Sequence, residues 1–311
     1  MTRSSFSWNG VFPAATTQFA PDMSVDLEAT GSMHEGLIRD GVDGLIICGT
    51  VGENNSLEPE EKRAVLKTAV ETVKGRKPVF TGVSELTTER AIKYAQDAEA
   101  IGADALMLLP CMVYVPTSEE LRAHFRAVAE ATSLPIMLYN NPPAYRVSLT
   151  IDDFAALSDV ENIVAIKESA PDTRRFTDLI NACGDRYIPM AGLDDVALEG
   201  LLLGAHGWIS GLTNAFPEES VELVRAVAAG ELEWARTIYR WFLPLLHLDA
   251  DHDLVQSIKL AEHIMGRGSE RVRMPRMPLA GARRAQVTRM VEEAAATRPV
   301  GPKGVPVSVA A

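Results

Sequence analysis

Apolar positions along this chain fall into two alternating rhythms. Short, continuous runs of β-branched and aliphatic residues have the composition of strands buried on both faces. They occupy residues 11–18, 44–48, 78–83, 105–109, 135–139, 162–167, 187–191 and 207–210. Each is followed by a stretch with apolar residues at helical spacing: 26–40, 59–74, 88–101, 118–132, 150–158, 173–183, 194–203 and 217–229. The stops are chemically legible. Pro59 opens one helix with Glu58, Glu60 and Glu61 around its first turn, and Gly75 closes it. Ser118 is the expected N-cap of another, with Glu120 just inside.

Eight such βα pairs predict an α/β protein, a (β/α)8 TIM barrel. A doubly wound sheet is disfavoured because no G-x-G-x-x-G follows the first strand. Polar residues also recur at or just past strand C-termini: Thr50, Tyr139, Lys167, Gly192 and Ser210. In a barrel all five would converge on one mouth. After Gly230 the rhythm is purely helical, over 231–246, 251–265 and 282–296. The expected organisation is a barrel over 1–229, a three-helix appendage over 230–298 and a flexible tail over 299–311.

Composition and charge narrow the function. A net charge of −12 argues against broad nucleic-acid binding, which needs basic surface to displace counterions. No apolar run reaches the length of a membrane span, and residues 1–6 lack a signal-peptide core. Cys48, Cys111 and Cys183 are scattered, which suits a reducing cytoplasm and supplies no zinc pattern. The run from His247 to Asp253 is rich in His and Asp, but its spacing matches no standard metal motif. It reads as a polar inter-helix turn with capping aspartates. No metal and no cofactor are expected.

One strand ends on a lysine, in Ile163-Val164-Ala165-Ile166-Lys167-Glu168. Burial disfavours a charged amine, so at a strand mouth it can leave a neutral nucleophile able to attack a carbonyl. The same residues also fit a lysine that merely marks the solvated strand end. Glu168 alternates to the other face and reads as an ion-pair partner rather than a base.

Five motifs in order change that balance: Gly49-Thr50-Val51-Gly52-Glu53, Tyr139-Asn140-Asn141-Pro142, Ile166-Lys167-Glu168, Ala191-Gly192-Leu193-Asp194-Asp195 and Gly207-Trp208-Ile209-Ser210. Together they resemble the dihydrodipicolinate synthase/N-acetylneuraminate lyase family from about Val11 to about Leu279. The resemblance implies a class I Schiff-base lyase, an aldolase or dehydratase, acting on a 2-oxo acid such as pyruvate or a 2-oxo-3-deoxy sugar acid. It implies Lys167 as the iminium-forming lysine, Tyr139 as the proton relay and Thr50 as a member of that relay. The Thr50 and Val51 amides would hold the substrate carboxylate, and Gly192 and Ile209 would line the pocket. It also implies a homotetramer, a dimer of dimers. Three departures argue against the lysine-pathway synthase itself. Val51 replaces a hydroxyl residue, Cys111 and Met112 stand where that synthase has a tyrosine pair, and Ala144 stands where it has a carboxylate-binding arginine. Arg146, two residues on, is a candidate substitute. The synthase, a hydroxypyrroline-carboxylate deaminase and a non-catalytic pyruvate-binding protein remain the alternatives.

Overall fold

The computed structural model describes residues 6–111 and 114–301. Met112 and residues 302–311 of the expected tail therefore lie outside the described residues. Eight parallel strands form one sheet: β1 (Gly10–Pro13), β2 (Leu45–Ile47), β3 (Val79–Val83), β4 (Ala105–Leu108), β5 (Ile136–Asn140), β6 (Ile163–Glu168), β7 (Ile188–Ala191) and β8 (Gly207–Ser210). β1 pairs with β8 from Gly10 opposite Gly207 to Pro13 opposite Ser210. The last seam is closed by the parallel bridge between Ala14 and Ile46, and the Ala15 amide donates to Ile46 O at 2.8 Å. The sheet is therefore a barrel, as its rhythm predicts. The strands are shorter than the apolar runs because the barrel register, not hydrophobicity, ends the pairing.

The connecting helices are α1 (Leu27–Arg39), α2 (Pro59–Val73), α3 (Thr88–Ile101), α4 (Ser118–Glu130), α5 (Pro142–Tyr145), α6 (Ile151–Ala156), α7 (Arg174–Cys183), α8 (Ala197–Leu202) and α9 (Pro217–Ala228). Capping decides several starts. Thr117, not Ser118, caps α4: its hydroxyl accepts from Glu120 N, and Glu120 Oε2 accepts from Thr117 N at 2.7 Å. The four-residue α5 has no counterpart in the hydrophobic pattern. Three further helices follow: α10 (Leu232–Ala250), α11 (Leu254–Ile264) and α12 (Gly281–Ala296). α10 runs four residues past the expected end at Leu246, because Leu245, Leu246 and Leu248 keep its apolar stripe buried.

Side-chain parity along the strands sorts the core in two. Phe80, Met107, Met137, Tyr139, Ala165 and Met190 belong to the cluster filling the barrel. Their neighbours Leu106, Leu108, Leu138 and Ile166 pack instead against the surrounding helices. The period of two puts Ala165, Lys167 and Ser169 on one side and Glu168 on the other. The barrel cluster continues without a break into Phe242, Leu246, Ile258 and Val291 of the appendage. The appendage thus shares the barrel's core.

Candidate active site

β6 carries Lys167 on its inner parity at the C-terminal end, the end at which barrel enzymes do chemistry. The side chain is buried, and burial lowers its pKa from 10.5 to about 8 against the opposing attraction of Asp249 and Asp194. Its Nζ lies 3.9 Å from the centroid of the Tyr139 ring. At pH 7 an amine with this pKa is neutral roughly 300 times more often than an ordinary lysine. Gly192 makes room for it. A Cβ there would stand 2.6 Å from Lys167 Cγ, 2.7 Å from Lys167 Cε and 2.4 Å from Ser169 Oγ. Glu168 faces the other way, accepting from Asn140 Nδ2 at 2.7 Å, Ala170 N at 2.8 Å and Arg175 Nε at 2.8 Å.

Tyr139, pairing opposite Lys167 on β5, has its phenol pushed up to about 12. In the free protein it is burial above all that raises it, with Asp249 adding to the rise; the relay role implied for Tyr139 calls for a lowered pKa only beside a cationic iminium. Asn141 Nδ2 donates to the phenol oxygen at 2.8 Å, leaving the phenol's own hydrogen free to be donated. Thr50 reaches Tyr139 through an intermediary that the sequence reading missed. The Thr50 hydroxyl is hydrogen-bonded to the hydroxyl of Tyr145. The Tyr145 ring meets that of Tyr139 edge-on, centroids 5.6 Å apart. The Tyr145 phenol is held well above its ordinary pKa by burial. Its only signal in the sequence is its place one residue past Ala144, at the end of the α5 turn.

The turn after β2 is compact and strained. Cys48 and Glu53 adopt left-handed backbone at φ +52° and +56°. Thr17 Oγ1 donates to Gly52 O at 2.8 Å, and Glu53 N donates to Thr50 O at 3.0 Å. Among the described residues, neither the Thr50 nor the Val51 amide donates to a protein acceptor. Consecutive amides of this kind are suited to an anion. Ile209, on β8, is buried in the barrel cluster.

Two carboxylates complete the mouth. Asp194 is fully buried, and accepts from Trp208 Nε1, Ser210 Oγ and Leu212 N, each at 3.0 Å. Burial, and then the charge of Asp249, push its pKa well up. Asp249 lies in the last turn of α10, with Oδ2 3.5 Å from Asp194 N. It was read as part of a polar turn. The continued helix instead carries it to the mouth, so that segment is a correction to the sequence reading. Nearby His247 Nδ1 lies 3.0 Å from Asp195 Oδ2, while Asp253 pairs with Arg283. Among the described residues, no group of three His, Cys, Asp or Glu could hold a metal. Arg146 does not join the constellation. It is exposed, in left-handed backbone at φ +58° as the C-cap of α5, and Tyr145 occupies the pocket side instead.

A closed parallel barrel with a helical appendage and a desolvated amine at its C-terminal mouth has the architecture of the Schiff-base barrel lyases. Over residues 7–294 the chain matches the dihydrodipicolinate synthetase family, and it belongs to that family. It is 35% identical over 290 residues to a 4-hydroxy-tetrahydrodipicolinate synthase of Geotalea uraniireducens, covering 92% of this chain and 98% of the relative. The chloride-inhibited dihydrodipicolinate synthase of Acinetobacter baumannii, complexed with pyruvate, superposes with a TM-score of 0.89 at 31% identity, covering 93% of this chain and 99% of that one. A prophage protein of the same family from E. coli K12, also in complex with pyruvate, gives 0.88 at 30% identity over 93% and 99% of the two chains. The chain is accordingly a class I lyase of the lysine Schiff-base, pyruvate-dependent kind. No described helix is long and apolar enough to cross a membrane.

Proposed function

We propose that the chain uses Lys167 to form an iminium with a 2-oxo acid and then makes or breaks a bond at or next to C3. The observation that carries this reading is the buried Lys167 amine, 3.9 Å from the Tyr139 ring centroid and with a pKa of about 8. The neutral amine attacks the keto carbon and water leaves. The Thr50 and Val51 amides hold the carboxylate beside it. The resulting cation draws electrons from C3 and lowers the pKa of the neighbouring phenol from its resting position near 12. Tyr139 then passes protons to and from the substrate, with Tyr145 and Thr50 behind it. Gly192 and Ile209 supply backbone and wall. This relay is built within one chain: Tyr145 supplies a second phenol where Cys111 and Met112 supply none.

A 4-hydroxy-2-oxo acid or a 2-oxo-3-deoxy sugar acid fits this site better than the second substrate of the lysine-pathway synthase. Ala144 offers no charge to a distal carboxylate, and Arg146 is exposed. The relatives' names keep that synthase as the second reading. We further propose a homotetramer, supported by the exposure of apolar Leu86, Tyr114 and Val115 in the segments after β3 and β4, and a cytoplasmic location, in keeping with three free cysteines. The test is pyruvate with borohydride followed by a mass map. The expected adduct is on Lys167. An adduct elsewhere, or none, would sink the reading. Lys259 is the instructive control, since it is fully buried and paired with Glu53 at 3.0 Å.

A further inference from the structure

We infer that Asp249 is the specificity-determining residue of this site, selecting 2-oxo acids with a hydroxylated, uncharged tail over those ending in a second carboxylate. The inference rests on the Schiff-base reading above and concerns the part of the pocket beyond the reacting carbons. Asp249 comes from the appendage, not the barrel, and hangs over the ends of β7 and β8. Its Oδ2 lies 3.5 Å from Asp194 N. Its Oδ1 lies 2.7 Å from the place a Cβ on Gly211 would occupy, so only a glycine after Ser210 lets the carboxylate enter. Among the described residues Asp249 forms no ion pair within 4 Å, and its one weak hydrogen bond leaves acceptor capacity on both oxygens. Asp194, whose amide it meets, lies two residues past Gly192, which packs against Lys167, and the Asp249 charge is felt by Lys167, Tyr139 and Tyr145.

A second polar group lies beside the lysine: the place a Cβ on Gly192 would occupy is 2.4 Å from Ser169 Oγ and 2.7 Å from Lys167 Cε. Ser169 lies two residues beyond Lys167, on the same side by strand parity. Its side chain is fully buried, and its hydroxyl has no partner in hydrogen-bonding geometry, although it sits near enough to Tyr139 to help hold that phenol down. A buried hydroxyl with no partner normally costs stability. A ligand hydroxyl would satisfy it. Asp249 accepts only, and Ser169 both donates and accepts. A tail hydroxyl can donate to the first and bond to the second. A tail carboxylate has no hydrogen to give Asp249 and would meet a like charge. The cation at hand, Lys167, is engaged with the keto carbon.

The probes are an equimolar mixture of 5-hydroxy-2-oxopentanoate and 2-oxoglutarate, which differ only in the tail and carry no 4-hydroxyl for aldol cleavage. Each is trapped on the full-length protein by borohydride and the two adducts are read by intact mass. Pyruvate trapping alone is the internal control. The wild type should favour the hydroxylated acid by at least about tenfold, and Asp249→Asn should reduce that ratio about tenfold, because the amide donates to a carboxylate as readily as to a hydroxyl. A wild type that traps both acids equally, or an Asp249→Asn ratio within twofold of wild type while pyruvate still traps, overturns the inference and leaves the Schiff-base reading standing. Failure of pyruvate to trap on the wild type removes both. The wild-type ratio needs no variant, so a misfolded Asp249→Asn still leaves the inference open to refutation.

Discussion

Replacing the proposed nucleophile should make the protein more stable. Lys167→Met keeps an unbranched side chain of similar length and removes a charge from the barrel interior. The gap between an ordinary lysine at 10.5 and about 8 here corresponds to a cost of about 3 kcal/mol for folding with the amine protonated. Asp249 and Asp194 already act within that figure. The contact with the Tyr139 ring offsets about 0.5–2 kcal/mol of it. The net expectation is a gain of about 1–3 kcal/mol for Lys167→Met at pH 7, measured as a shift in urea midpoint at unchanged slope. The pH dependence separates this from generic repacking. Below about 8 the lysine is protonated in both folded and unfolded states, so the full cost is present. Between about 8 and 10.5 the folded protein has released the proton and the unfolded chain still holds it, so wild-type stability rises with pH. The variant's advantage should therefore be largest below about 8 and gone above 10.5. A variant no more stable than wild type at pH 7, or an advantage that persists unchanged above 10.5, would show that Lys167 is not the desolvated amine described above.

Three other outcomes follow from the same geometry. Tyr139→Phe should lower turnover by roughly two to four orders of magnitude while sparing pyruvate trapping, and Tyr145→Phe should lower it in the same sense; stopped-flow turnover with borohydride trapping in parallel separates the steps, and near-normal rates in both variants would remove the relay. Gly192→Ala should abolish adduct formation without unfolding the protein, because the new methyl falls 2.6–2.7 Å from Lys167 carbons; normal trapping with an intact circular dichroism spectrum would refute it. Light scattering should give a tetramer at micromolar concentration, and a monomer would contradict the proposed assembly.

The barrel was legible because strands buried on both faces write themselves as unbroken apolar runs, and helices between them carry their own caps and stops. Lys167 stood out as a charge where that rhythm allows none, but the rhythm fitted a solvated strand end equally, and the five motifs in order singled it out. What escaped was set by a few residues in places the rhythm does not reach. Tyr145 closes a four-residue helix begun by two successive prolines, too short to show a period. Asp249 rides on the extra turn of α10, where Leu248 and Ala250 are the apolar residues in His247–Asp253, and a run of His and Asp looks like a loop. The direction of the Tyr139 pKa was also hidden, because it depends on how deeply the ring is enclosed and not on which residues precede it.

The same appendage that supplies Asp249 also anchors the turn after β2. Lys259 on α11 is fully buried and donates to Thr17 O at 2.7 Å and to Glu53 Oε1 at 3.0 Å. Glu53 Oε2 accepts from Arg273 N at 3.0 Å. Beside them Glu262, pushed up to about 7 by burial, accepts from the Thr16 hydroxyl at 2.8 Å. A buried ion pair is seldom a net source of stability, since desolvating two charges offsets their attraction. Its value here is positional. Left-handed backbone at Cys48 and Glu53 costs of order 1–3 kcal/mol per residue and persists only where the surroundings over-determine it. Removing one member of the pair leaves the other buried and uncompensated, at about 3–5 kcal/mol, which is comparable to the strain of the two left-handed residues together. The turn that presents the Thr50 and Val51 amides is therefore held from the appendage as much as from β2. A barrel stripped of its last three helices would lose the acceptor-bearing wall and the amide-bearing turn together, although every strand and the lysine itself would still be encoded.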